Sequence, residues 1–260
     1  MSALTFGGAA SDRVVCGSGS NLDDLSTATI CVAAYITTHT SGRKFCWKGE
    51  IQFELNTTHG ASNLLFFRGR ATTNTLYRTN DSRATTGSWH FFAATFESGA
   101  TPEVRIYECS PAGAVTECTY GTSTNGSGAL NTDAAANFHW ANDVFVGSAL
   151  QGDMSHGQIY NRVLSVAELS TIKTTWKKLD GCVLYTKFGE NGTGTQRDET
   201  GTGGSGTVTG ATLQSTRSYP VNPFWGSARG KTWTTTAAAA SNRIFQDRRR
   251  RFIGSMHGSP

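Results

Sequence analysis

Between Phe145 and Ile172 the chain passes from strand to helix within a span short enough to fix the order of both elements. Residues 158–160 read as the end of a β-strand, Asn161 and Arg162 as a turn, and residues 164–169 as a helix start. Ser165 and Glu168 have capping-box spacing, so each side chain can satisfy an orphan backbone N–H of the first turn. Leu164 and Leu169 take the flanking hydrophobic-staple positions. The spacing predicts a short, well-started helix directly after a strand.

Away from that helix the pattern is β throughout. The 260 residues include 30 glycines and many threonines, and short β-branched or aromatic runs alternate with Gly, Ser, Asn and Asp clusters that suit turns. In residues 26–35, Ile30, Val32 and Ala34 alternate with Cys31, Ala33 and Tyr35. In residues 89–96, Phe92, Ala94 and Phe96 alternate with Trp89, Phe91 and Ala93. Both faces of that second strand are apolar, which predicts a central strand covered on two sides. No run reaches the roughly 18 apolar residues of a membrane-spanning helix, so membrane insertion is not expected. The N-terminus carries no basic segment followed by an apolar core, so synthesis in the cytoplasm is expected.

The strand followed by Ile159-Tyr160-Asn161-Arg162-x-Leu164-Ser165-x-Ala167-Glu168-Leu169 resembles the closing signature of the laminin G-like, concanavalin A-like jelly rolls. Ala3-Leu4-Thr5-Phe6-Gly7-Gly8 and Asp12-Arg13-Val14-Val15 look like that family's first edge strands. Residues 26–35 resemble its long central strand, and residues 89–96 with 104–107 its core tryptophan strand and hairpin partner. The resemblance implies an all-β, antiparallel two-sheet jelly-roll sandwich with one short helix and an extended C-terminal tail. Domain limits of 1–218 for the sandwich and 219–260 for the tail are expected.

One segment is out of order for that family. Cys182-Val183-Leu184-Tyr185-Thr186-Lys187-Phe188-Gly189-Glu190, with the glycine-rich residues 192–210, resembles the stretch that normally opens such a domain, yet here it follows the helix. The roughly 80 residues after Asp180 are too few for a second sandwich. A circularly permuted jelly roll is the better reading, with the displaced strand returning to the same sheet from the other end of the chain.

The tail is a separate electrostatic object. Residues 221–260 carry seven Lys and Arg against one Asp, a net +6, leaving −2 for the remaining 220 residues of a chain whose total is +4. Its large apolar and basic groups, Phe224, Trp225, Trp233, Phe245, Arg248, Arg249, Arg250, Arg251 and Phe252, are candidates for docking on a partner. A disordered solubilising end is the competing reading. The body is slightly acidic and the arginine run is single, so nucleic acid is not the expected partner.

Chemistry-bearing motifs are sparse. The six cysteines, 16, 31, 46, 109, 118 and 182, match no zinc spacing, and reduced thiols are the expectation. Cys109 and Cys118 could bridge across a hairpin; if residues 110–114 form the turn instead, Cys109 pairs with Val115 and the sulfurs do not meet. His90, His139 and His156 show no metal-ligand pairing and read as surface or core-edge residues. Glu50-Ile51-Gln52-Phe53-Glu54 resembles the Glu-x-Asp-x-Glu strand of jelly-roll glycoside hydrolases, but Gln52 replaces the middle Asp. The two glutamates stand about 13 Å apart at Cα, against a carboxyl spacing of about 5–5.5 Å for a retaining mechanism. No catalytic residue is assigned. The resemblance makes calcium an option, with Asp12, Asn142, Asp143 and Asp153 as oxygen donors, yet Ser155 and His156 replace the acidic pair expected before the closing motif. No cofactor and no metal site is therefore expected.

Three functions follow. The first is a non-enzymatic virion structural or accessory protein of a tailed bacteriophage, of capsid-decoration or head-fibre type. Such a protein would form homo-oligomers, reside in the virion and dock on capsid or other virion proteins through its C-terminal arm. The alternative is a carbohydrate-binding module for host-surface attachment, with Trp47, Tyr77, Trp140 and Tyr160 as candidate sugar platforms. The glycoside hydrolase stands last.

Overall fold

The computed structural model describes residues 2–39, 42–49, 53–57, 63–142, 148–202, 204–214, 216–217 and 219–220. Their strands are β1 (Ala3–Gly7), β2 (Arg13–Val15), β3 (Thr27–Ile36), β4 (Lys44–Lys48), β5 (Phe53–Thr57), β6 (Leu64–Arg68), β7 (Thr75–Thr79) and β8 (Trp89–Glu97). They continue with β9 (Val104–Cys109), β10 (Thr116–Glu117), β11 (Tyr120–Thr124), β12 (Phe138–Trp140), β13 (Gln151–Tyr160), β14 (Cys182–Lys187), β15 (Thr207–Thr209) and β16 (Thr212–Gln214). One helix, α1 (Val166–Thr175), follows β13. The strands form two eight-stranded sheets: sheet A in the order β10-β9-β8-β3-β13-β1-β16, with β14 also on β13, and sheet B in the order β11-β7-β6-β5-β4-β12-β2-β15. Among the described residues, no helix is long and apolar enough to cross a membrane.

The alternation in β3 and β8 separates two hydrophobic layers. Ile30, Val32, Ala34, Phe92, Ala94 and Phe96 enter the core between the sheets, where they meet Phe45, Leu55, Phe66 and Trp140 of sheet B. Phe45 stacks on Phe92 at 4.8 Å and Phe66 on Phe96 at 5.7 Å, tying one sheet to the other. Cys31, Ala33, Trp89, Phe91 and Ala93 point the opposite way, into a second cluster with Leu164, Leu169, Ile172 and Trp176. Burying each of the Val, Leu, Ile and Phe side chains is worth roughly 1.5–3 kcal/mol. Sheet A is therefore covered on both sides, which is why β3 and β8 are largely apolar on both faces.

The cover on sheet A starts from the predicted cap. Ser165 Oγ accepts from the Glu168 N–H, and Glu168 Oε2 accepts from the Ser165 N–H at 2.9 Å. The staple residues Leu164 and Leu169 are both fully buried. Trp176 ends the helix in the left-handed region, at φ 50°, and its indole stacks on His156 with ring centroids 4.6 Å apart.

The permuted order is visible in the register of β13. Its residues 156–160 pair with β14, and its residues 151–154 pair with β1, both antiparallel and along the same edge. Lys187 stands opposite His156 and Leu4 opposite Met154, so the two strands lie end to end like one strand that has been cut. Gly189 sits at the cut with φ +81°, where a Cβ would fall 2.7 Å from the Ala3 carbonyl oxygen. The segment after β14 then completes both sheets, β15 pairing with β2 and β16 with β1.

The body runs beyond residue 218. Tyr219 is 1% exposed and packs edge-on against Trp89 and Trp176, at 5.7 and 6.0 Å. Arg217 lies 4.5 Å over the Tyr35 ring, with its Nε 2.9 Å from Asp153 Oδ2. The first compact unit extends to residue 222. A boundary drawn from the Pro and aromatic residues of the tail misses this anchor, because Tyr219 belongs by contact to the body.

The hairpin of β9 and β10 settles the cysteine question left open by the sequence. Thr116 pairs with Glu108, which sets Cys109 across from Val115. Cys109 lies in the outer cluster and Cys118 in the inter-sheet core, so the sulfurs are on opposite faces of the sheet. All six cysteines are free thiols, and burial pushes Cys16, Cys46, Cys118 and Cys182 up to about 12.

Candidate functional site

The four aromatic residues expected to offer sugar platforms are buried. Trp47, Tyr77, Trp140 and Tyr160 are 4%, 2%, 0% and 0% exposed. Tyr77 points into the inter-sheet core, edge-on to Tyr120, and Trp140 lies beside Phe138 there, donating its indole N–H to Thr186 Oγ1 at 3.1 Å. Tyr160 belongs to the helix-side cluster and donates its hydroxyl to Gln158 Oε1. None offers a ring face to solvent. The strand face that each occupies, set by its register, decides its burial. Phe224, Trp225, Trp233, Phe245, Arg248, Arg249, Arg250, Arg251 and Phe252 lie outside the described residues.

Among the described residues, no helix packs on the outer face of sheet B. On the outer side of sheet B, directly paired residues share a face, and the ladder sets Val15, His139, Trp47, Glu54, Phe67 and Leu76 in one row. Asn56, Leu65 and Arg78 form the next row, and Lys44 pairs with Asn56. Lys44 Nζ contacts Glu54 Oε2, and Asn56 Nδ2 donates to Glu54 Oε1 at 3.0 Å, so both carboxylate oxygens have partners. His139 lies edge-on to Trp47 at 5.2 Å. Burial, helped by the nearby Arg13 charge, lowers its pKa to about 4, so its ring is neutral at neutral pH. Leu65, Phe67 and Leu76 are half-buried and Arg78 is exposed.

Phe67 was not singled out by the sequence. It sits in the run Leu64-Leu65-Phe66-Phe67, where apolar residues fill both faces and conceal which ring faces out. Leu64 and Phe66 enter the core, which leaves Leu65 and Phe67 outside. A half-buried ring beside a carboxylate, an amide and two cations combines an apolar surface with directional donors and acceptors, the mixture that small-molecule sites use.

No family model matches the chain, and no curated protein matches it. Among solved structures, a protein of Bacteroides ovatus provisionally named as carbohydrate binding superposes over 82% of this chain with a TM-score of 0.63 at 16% identity. This chain spans 59% of that protein's length. The heptameric SAP-like pentraxin of Limulus polyphemus superposes over 81% of this chain and 95% of its own, with a TM-score of 0.52 at 10% identity. The fold is a laminin G-like, concanavalin A-like jelly roll.

In this jelly roll two of the oxygens considered for calcium, Asp12 Oδ2 and Asp153 Oδ1, accept from protein donors. Asp12 Oδ2 accepts from the N–H groups of Gly7 and Ala9 at 2.7 and 3.1 Å. Asp153 Oδ1 accepts from Thr5 Oγ1 and Gln214 Nε2, and Asn142 donates to the Ala10 carbonyl. Asp143 lies outside the described residues, as do Glu50 and Gln52 of the hydrolase-like strand. Among the described residues, no three His, Cys, Asp or Glu side chains form a metal-holding group. The densest acidic cluster encloses a lysine: Lys48 Nζ lies 2.6 Å from Asp23 Oδ1 and 2.8 Å from Asp133 Oδ1, while Arg68 Nη1 lies 2.6 Å from Asp133 Oδ2.

The three histidines are more deeply placed than their scatter implied. His90, His139 and His156 are 5%, 4% and 3% exposed. Burial lowers the pKa of His156 to about 3, assisted by the Lys187 and N-terminal charges. Its imidazole lies flat against Trp176, so it acts as a packed ring of the sheet A cover.

Proposed function

We propose that the protein binds carbohydrate through the outer face of sheet B. The observation that carries this reading is Phe67, a half-buried aromatic ring one ladder position from Glu54, on the sheet face that α1 does not cover. Its ring would take the C–H face of a sugar, while Asn56, Lys44 and Arg78 hydrogen-bond to hydroxyls or an acidic substituent. The provisional name of the Bacteroides ovatus protein agrees with this reading. The test is calorimetry of the full chain with glycans that it retains in an array, repeated with Phe67→Ala. Saturable binding, weakened about tenfold or more by the substitution, is expected. No retained glycan, or unchanged affinity in the variant, overturns the assignment.

A second reading places this module in a phage particle as a virion structural or accessory protein. The sequence of residues 221–260 favours it, since its net charge of +6 and its large aromatic groups suit docking on a partner. The arm would dock on capsid or other virion proteins and join copies of the chain, leaving sheet B free for attachment. Light scattering should give an oligomer for the full chain and a folded monomer for a chain ending at Pro220, which keeps Tyr219. Two monomers would remove self-assembly through the arm.

A further inference from the structure

At the start of β8 a serine, a histidine and a glutamate line up in hydrogen-bonding order. Ser88 Oγ lies 2.8 Å from His90 Nε2, and His90 Nδ1 lies 2.6 Å from Glu108 Oε1. Ser88 and His90 are two residues apart and point to one side of the strand. Glu108 pairs with Phe92 on β9, which brings its carboxylate diagonally back to the imidazole. Phe92 stacks on the histidine ring at 5.4 Å and fixes its plane. His90 and Glu108 are 5% and 6% exposed, whereas Ser88 is exposed.

The carboxylate only accepts, so Nδ1 donates to it, and in the tautomer with its proton on Nδ1 the Nε2 lone pair faces the hydroxyl. Burial of the histidine does not by itself require this serine. Thr85 Oγ1, 3.0 Å from the same Nε2, could fill its one lone pair alone, yet Ser88 Oγ stands nearer, at 2.8 Å, as a second, solvent-facing hydroxyl. The Gly87 N–H is held by the Ile36 carbonyl at 2.9 Å, while the Ser88 N–H has no partner among the described residues.

We propose that Ser88, His90 and Glu108 form an acyl-transfer site that hydrolyses small carboxylic esters. This inference is independent of glycan binding on sheet B. Ser88 Oγ adds to the ester carbonyl carbon as its proton passes to His90 Nε2, and Glu108 stabilises the imidazolium. The free Ser88 N–H faces the developing oxyanion. The adduct collapses by breaking the bond to the alcohol oxygen, which leaves with the proton from Nε2. Water then attacks the acyl-serine, gives its proton to Nε2 and releases the acid, and Ser88 recovers its hydrogen. Exposure of Ser88 suits a short acyl group such as acetyl.

The test treats the full chain with a fluorophosphonate and locates the adduct by peptide mass spectrometry, with 4-nitrophenyl acetate hydrolysis as the turnover assay. One adduct, on Ser88, is expected. Turnover should vanish in Ser88→Ala, whose site is exposed and leaves the fold intact, and should fall about a hundredfold or more in Glu108→Gln. Thr85→Val, checked by circular dichroism, should still be labelled at Ser88. Absence of a Ser88 adduct in the folded protein, labelling spread evenly over surface serines, or turnover that survives Ser88→Ala overturns the proposal.

Discussion

The two outer faces of the sandwich are built from the same alternating strands and end in opposite conditions. The face of sheet A is closed by Leu164, Leu169, Ile172, Trp176 and Tyr219, which turn it into a second core. The face of sheet B carries Lys44, Glu54, Asn56, Arg78 and a half-buried Phe67. The difference lies in chain order. Placing a capped helix and the returning permuted segment after β13 covers one sheet and leaves the other to polar chemistry. Stability should therefore be concentrated on sheet A and recognition on sheet B.

The largest expected effect tests that division directly. Trp176→Ala removes the ring that meets Phe91, His156 and Tyr219, and should cost about 3–5 kcal/mol in urea denaturation. Glycan affinity of the fraction that remains folded should be unchanged. A loss below about 1 kcal/mol would show that the cover is loosely packed, and the contrast between the faces would fail.

Acid should separate the faces next. His156, beneath the cover, is held near 3 and His139, on sheet B, near 4. Both folded values lie below the ordinary histidine value of about 6.5, so in that window the unfolded chain binds more protons than the native one. Their contribution is present above about pH 6.5 and is lost as pH falls towards 4 for His139 and towards 3 for His156. The His156 share amounts to roughly 5 kcal/mol and the His139 share to roughly 3 kcal/mol. Denaturation midpoints measured between pH 7 and about pH 3 should flatten more in His156→Phe than in His139→Phe. Equal flattening would mean that the two faces exclude water alike.

Much of the sheet A side was legible before any coordinates. The two-faced alternation of residues 30–35 and 89–96 announced a sheet covered on both sides, and Ser165 with Glu168 announced the helix that covers it. Local spacing carries that information, because a strand has period two and a cap needs a fixed offset. The open face was hidden for the same reason. Phe67 belongs to an apolar run with no alternation to read, and Trp47 became buried between Glu54 of the next strand and His139, which comes from a distant part of the chain. Tyr219 was misassigned to the tail because its partners, Trp89 and Trp176, are 130 and 43 residues away in the numbering.

The smallest effect asks what holds the cover in place. Ser165→Ala removes the hydroxyl that accepts from Glu168 N–H but keeps the staple leucines and Trp176. The cap is worth about 1 kcal/mol, and melting should fall by about 2–4 °C for a domain of this size. Packing is worth several times the cap if both expectations hold, so α1 is a helix because sheet A needs a lid, with its N-terminus merely well finished. A cap loss as large as that of Trp176→Ala would reverse the order: the helix would have to form first for the lid to seat, and the stability of sheet A would depend on four residues of local sequence.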